Sequence, residues 1–154
     1  MSTLGKDFAR IMGRDLDRLR DEVEAYASDA DLWRVRGEIK NSAGTLALHL
    51  AGNLDHFVGA VLGHSGYVRD REAEFGDRDV PRDEILRRVA SCRSAVVGTL
   101  NGLSDAALQL PYPGQLPPPL AGSTTHLFLV HLAGHLTWHL GQINYHRRLL
   151  AAGD

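Results

Sequence analysis

Five of the eight histidines fall in the last 29 residues, where the stretch from His131 to His146 reads HLAGHLTWHLGQINYH. On a helix advancing about 100° per residue, His135 and His139 stand one turn apart and about 40° apart around the axis, so both imidazoles reach one point beside it. That is the spacing of two ligands to a single metal ion. Gln142 falls about 20° from His135 on the same face, and Leu132, Leu136, Leu140 and Ile143 surround the pair with apolar side chains. At about 1.5 Å of rise per residue, His131 is about 12 Å from His139 along the axis and His146 about 10 Å beyond it, so neither shares an ion with His139. His131 can instead pair with His135, and spacing alone leaves both registers open.

A second set lies far upstream. His49, Asn53 and His56 fall within about 60° of one another on a helix, but the same rise separates the two imidazoles by about 10 Å, so at most one of them joins a centre with the C-terminal pair. A closed helical core buries few unpaired imidazoles without a reason. Two metal motifs are excluded: no Glu-x-x-His occurs, which a di-iron carboxylate centre requires, and in HLTWH the residue after the first histidine is Leu136, so no zincin glutamate stands as general base. Imidazole ligation suits zinc, nickel, iron or copper.

The elements that must carry these residues follow from apolar periodicity. Phe8, Ile11, Met12, Leu16, Leu19, Val23 and Tyr26 recur every three or four positions, which predicts one amphipathic helix from Leu4 to Tyr26. SDADLWRVRGEIKNS then breaks the pattern as a turn, with Trp33 packing over the end of the helices. Asn41 or Ser42 caps a second helix reaching His64, whose glycines and alanines let a neighbour approach closely. GYVRDREAEFGDRDV is a charged connection of about 15 residues, long for a hairpin and suited to a crossover. Pro81 sits at the first position of a third helix, with Asp83 and Glu84 in its first turn and a seam of Ile85, Val89, Cys92, Val96, Leu100 and Leu103. A short turn, SDAALQL, leads into a stiff strap, 111–119, in a segment holding five of the six prolines. Ser123 or Thr124 caps a last helix over about 124–151. The expected fold is all-α, a four-helix bundle in one domain over 1–154, with a long connection between helices 2 and 3 and a Pro-rich strap before helix 4.

Composition narrows the function classes. A chain of 154 residues buries roughly two-thirds of its unfolded surface, enough to stand without a structural metal, so a metal here would serve function. The net charge of −2 and the lack of a basic stripe argue against nucleic acid and acidic membranes as partners. One cysteine permits no internal disulfide and no cysteine-based zinc motif; Cys92 on an apolar seam reads as a small hydrophobe. No signal peptide or membrane span is visible, and the expected location is cytoplasmic. His126, about 180° from His135, is expected at the surface, and His64 at the C-terminal dipole of its helix.

NSAGTLALHLAGNLDHF followed at a distance by HLAGHLTWHLGQINYHRRLL resembles the DinB/YfiT superfamily of four-helix metalloenzymes, which includes thiol-dependent transferases. The similarity covers the chain in outline. Its specific parts are the early helix-2 histidine and the His-x-x-x-His-x-Gly-Gln ending. The resemblance implies that one histidine of helix 2 and two of helix 4 hold a divalent ion, here His49, His135 and His139, and it suggests a homodimer. The chain departs from the family in two places. Trp138 stands where many members have a histidine before the second ligand, and the strap 111–119 has no counterpart in the shared pattern. The superfamily name refers to damage-inducible expression and implies no polymerase activity.

Three neutral imidazoles leave an ion's charge uncompensated and a coordination position open, the arrangement of a catalytic rather than a structural centre. Water or a thiol on such an ion loses its proton near neutral pH and becomes a nucleophile. With no thiol of the chain's own at the site, a thiolate must arrive as a small-molecule cosubstrate. Asn53, Gln142, Trp138 and His131 are the expected neighbours of the ligands or the pocket. The expectation is a metal-dependent enzyme, with zinc, nickel or iron, hydrolysing a small molecule or transferring a low-molecular-weight thiol to it. The alternative is a helical stress-response module that binds metal or a ligand without turnover.

Overall fold

The computed structural model describes residues 3–153, so Met1, Ser2 and Asp154 of the expected domain lie outside the described residues. Among the described residues the regular structure is helical, and extended pairing is confined to one bridge between Pro111 and Thr124. Four long helical segments surround a continuous apolar core. The first, α1, spans Thr3–Ala25 and buries Phe8, Met12, Leu16, Leu19 and Val23 of the predicted stripe, whereas Ile11, expected in it, faces outward and is exposed.

The expected turn after α1 holds a short helix, α2, at Asp29–Trp33. Ser28 nucleates it by accepting the Asp31 N–H at 3.2 Å, with Asp29 and Asp31 in the first turn where the helix dipole favours them. Trp33 lies against Gly44, where a Cβ would meet its ring at 2.8 Å, and its indole N–H donates to the Val80 carbonyl at 3.3 Å.

Ser42 caps α3, Ala43–Leu54, accepting the Thr45 N–H at 3.1 Å. Every residue of α3 is buried, because neighbouring helices cover it on all sides. The α-helix expected to continue to His64 loosens instead into a π-helical segment, Asp55–Ala60, with Val61 N–H reaching back to His56 O at 3.0 Å. His64 then takes the left-handed conformation, φ 54°, and ends the segment.

The charged connection is not a bare crossover. It contains α4, Arg71–Gly76, capped by Asp70 through the Ala73 N–H at 2.9 Å, and α4 folds back onto α3. The next helix, α5, spans Arg82–Gly102 with Pro81 as its cap, one residue earlier than the first helical position expected of it. Its seam from Ile85 to Leu100 is buried as the spacing predicts.

Ser104 caps a short α6, Asp105–Gln109, inside the expected turn. The Pro-rich strap is tied down at Tyr112, whose N–H pairs with Ser123 O at 3.0 Å and whose hydroxyl donates to Phe57 O at 2.7 Å. Finally α7, Thr125–Ala151, starts from a Thr124 cap and carries the histidine stretch. No described helix is long and apolar enough to cross a membrane.

Candidate metal centre

Two partly buried polar contacts set the height and rotation of α7. Near the histidines, the Thr137 hydroxyl lies 3.0 Å from the Asp15 carboxylate of α1. Asp15 is almost fully buried and is held by Arg14 and Arg18 at 2.8 and 3.2 Å. Burial alone would raise its carboxyl, but these partners outweigh it and hold the pKa below the usual range. Further along, Glu22 receives hydrogen bonds from Arg147 and Asn144, both at 2.6 Å.

With α7 fixed this way and α3 beside it, one ring nitrogen each of His49, His135 and His139 lie within 4.8 Å of one another. The Nε2 atoms of His49 and His135 are 3.2 Å apart. Two imidazole nitrogens at tetrahedral positions about 2.05 Å from a zinc ion would be about 3.3 Å apart, so the pair already has ligand spacing.

Hydrogen bonding sets the tautomers. Glu74 Oε2 lies 3.0 Å from His49 Nδ1, and a carboxylate oxygen only accepts, so Nδ1 carries a proton and Nε2 is the nitrogen left to serve as a ligand atom. Gln142 Oε1 does the same for His139, accepting its Nδ1–H at 2.7 Å. His135 is pushed down to about 4, first by burial, then by the neighbouring His139 and His49, so it is neutral at pH 7. Burial also lowers His139. Three imidazole nitrogens gathered at this spacing make a donor set that fits a divalent metal. His135 Nδ1 and, one turn beyond His49, Asn53 Oδ1 are buried without a hydrogen-bond partner.

Glu74 and Arg69 escaped the sequence reading. Arg69 grips the Glu74 carboxylate with Nε at 2.6 Å and a terminal nitrogen at 2.8 Å. Burial pushes the Glu74 carboxyl up, but Arg69 and His49 outweigh it and keep it ionised. Room for this carboxylate exists because residue 52 is glycine: a Cβ there would collide with Glu74 Oε1. The available signal was Asp70, a capping residue inside a connection too long for a hairpin.

The remaining candidates fall outside the triad. His131 is exposed and stacks between Phe128 and His135, with ring centroids 5.9 and 6.3 Å away, which resolves the register in favour of His135 with His139. His56 packs on Phe57. Trp138, expected beside the pocket, is 69% exposed and lines a shallow surface with Gly134, Thr137 and Gly141. His126, expected at the surface, is half-buried with its ring edge-on to Phe8 at 5.7 Å. Cys92 is fully buried and its thiol is pushed up by burial, which keeps it protonated and inert.

The chain is a helical protein in which one upstream histidine and two C-terminal ones come together at metal-ligand spacing. The model of the DinB superfamily matches residues 14–143, and the chain belongs to that superfamily. None of the curated proteins matches it.

Proposed function

We propose that this protein is a four-helix-bundle metalloenzyme in which His49, His135 and His139 hold one divalent ion, zinc, nickel or iron, that acts on a small molecule by hydrolysis or by transfer of a low-molecular-weight thiol. The observation that carries this reading is the convergence of the triad, with the 3.2 Å approach of two Nε2 atoms. When bound, the ion would supply Lewis acidity and leave at least one coordination position for a substrate atom. The chain's own residues orient the ligands: Glu74 and Gln142 hold the His49 and His139 rings through Nδ1 and leave Nε2 as the ligand atom, and Arg69 holds Glu74. Leu132, Leu136 and Ile143, all buried, keep the inner side of the centre dry.

One observation favours a second reading, a bundle that holds metal or ligand without turnover. Both oxygens of Glu74 are engaged by Arg69 and His49, so this carboxylate is not free to move a proton as a general base. Elemental analysis of the purified protein, followed by cobalt substitution and titration with small thiols, separates the two. One metal per chain with a visible spectral response to thiols supports the enzyme. One metal per chain with no such response supports the binder, and no bound metal ends the enzyme reading and leaves only a bundle that binds a ligand.

We also propose a homodimer through the outward face of α7. Leu127, Val130 and Trp138 are between 48% and 69% exposed there, and Gly134 and Gly141 leave open space on either side of Trp138.

A further inference from the structure

Next to the triad, a groove of about 500 Å³ runs between α7 and the Glu38–Asn41 segment, within the size range of small-molecule sites. It meets the triad only at His139 and the Gln142 that orients it, and its other end is at Leu149. The ten residue steps from His139 to Leu149 make it about 15 Å long, and a staggered carbon chain, which zigzags and so advances about 1.25 Å per bond, fills that length with about a dozen carbons. Leu46 and Ile143 form a buried apolar floor, while Ile39, Tyr145 and Leu149 stand 40%, 67% and 55% exposed along its sides. Large apolar side chains exposed together in one concavity beside a polar centre mark a ligand site.

The groove is preformed. His146 Nε2 donates to Arg34 O at 3.0 Å, which leaves Nδ1 to accept the Tyr26 hydroxyl at 2.7 Å. This buried pair fixes the chain just before Glu38 against α7, so the outer wall stands without a ligand.

Resting on the metalloenzyme reading above, we infer that the substrate class is amphipathic: a polar head that reaches the open position beside His139 and an unbranched or aromatic tail of up to about a dozen carbons lying along Leu46, Ile143 and Leu149. A small occupant is favoured over a second copy of the chain because the surface is concave and ends on a triad histidine, whereas the α7 face around Trp138 is shallow.

The test uses the full zinc-loaded chain and a series of straight-chain hydroxamates from two to about sixteen carbons. Affinity is expected to rise about three- to fourfold per methylene and to level off at about twelve carbons. Ile39→Asp and Leu149→Asp, both at half-exposed positions, should flatten the series without changing the affinity of the two-carbon member or the oligomeric state. Decanol titrated into metal-free protein reads the groove alone and should bind more weakly to Ile39→Asp. Hydroxamate affinities independent of chain length would overturn the inference, as would failure of both decanol and hydroxamates to bind. If decanol binds and responds to Ile39→Asp but no hydroxamate binds the zinc-loaded chain, the groove stands and the metalloenzyme reading falls.

Discussion

Glu74 connects a charged loop to the metal ligands. By accepting the Nδ1 proton of His49 it holds the ring in one tautomer and raises the basicity of Nε2. Its own charge survives burial because Arg69 is bidentate to it and His49 adds a further hydrogen bond. Glu74→Ala should therefore weaken metal affinity about 10- to 100-fold in competition titrations against a chelator. Glu74→Gln, which keeps an acceptor but loses the charge, should fall between Ala and wild type. Equal affinity in all three proteins would mean that the contact does not support the ligand. At this scale the sequence showed the helical pair at 135 and 139, because two side chains four apart on one helix must be neighbours. It could not show Glu74, which reaches His49 across 25 residues from a segment whose mixed charges look like an ordinary solvated face.

Elements without periodicity depend on single hydrogen bonds. The strap is anchored by the Tyr112 hydroxyl on Phe57 O, within the π-helical segment. Tyr112→Phe keeps the ring packing against Phe57 and Phe128 and should cost about 0.5–1.5 kcal/mol, visible as a lower urea midpoint with metal affinity unchanged. The 34–41 segment depends on His146 in the same way. Burial, outweighing the Arg34 carbonyl, holds His146 below its ordinary 6.5, so between those two values the unfolded chain binds the extra proton. Its contribution to stability is complete above pH 6.5 and declines as pH falls through that window. His146→Ala should lower the stability of the metal-free protein at pH 7.5 and reduce the slope of stability against pH just below 6.5. An unchanged slope would show that His146 is not the titrating group. The four long helices were legible because three- and four-residue apolar spacing reports a buried stripe. The short α2, α4 and α6 were not, since each is about one turn and is betrayed only by its capping Ser28, Asp70 or Ser104.

For the molecule as a whole, the question is what the metal and a partner contribute to a core already closed by helices. Met12, Leu16, Leu50, Leu54, Leu100, Phe128 and Leu136 are at most 1% exposed, and they come from all four long segments. A core of that kind needs no ion to hold it together. Trp138, by contrast, is a large side chain left in solvent between two glycines, on a helix face whose neighbours Leu127 and Val130 are also apolar. If two copies meet there, Trp138→Glu should convert a dimer to a monomer in light scattering and leave the metal content as it was. His135→Ala and His139→Ala should each remove bound metal, yet keep the helical circular dichroism of the wild type. Their melting temperatures should match that of metal-free wild type and sit below the loaded protein, for which metal at 100 times its dissociation constant adds about 2.7 kcal/mol. Both variants unfolding at room temperature would mean that the centre is structural, because a cation needed for folding cannot also be an accessory to chemistry on a self-sufficient scaffold. Folded variants that still bound one metal per chain would instead show that the ion sits somewhere other than between His49 and the α7 pair.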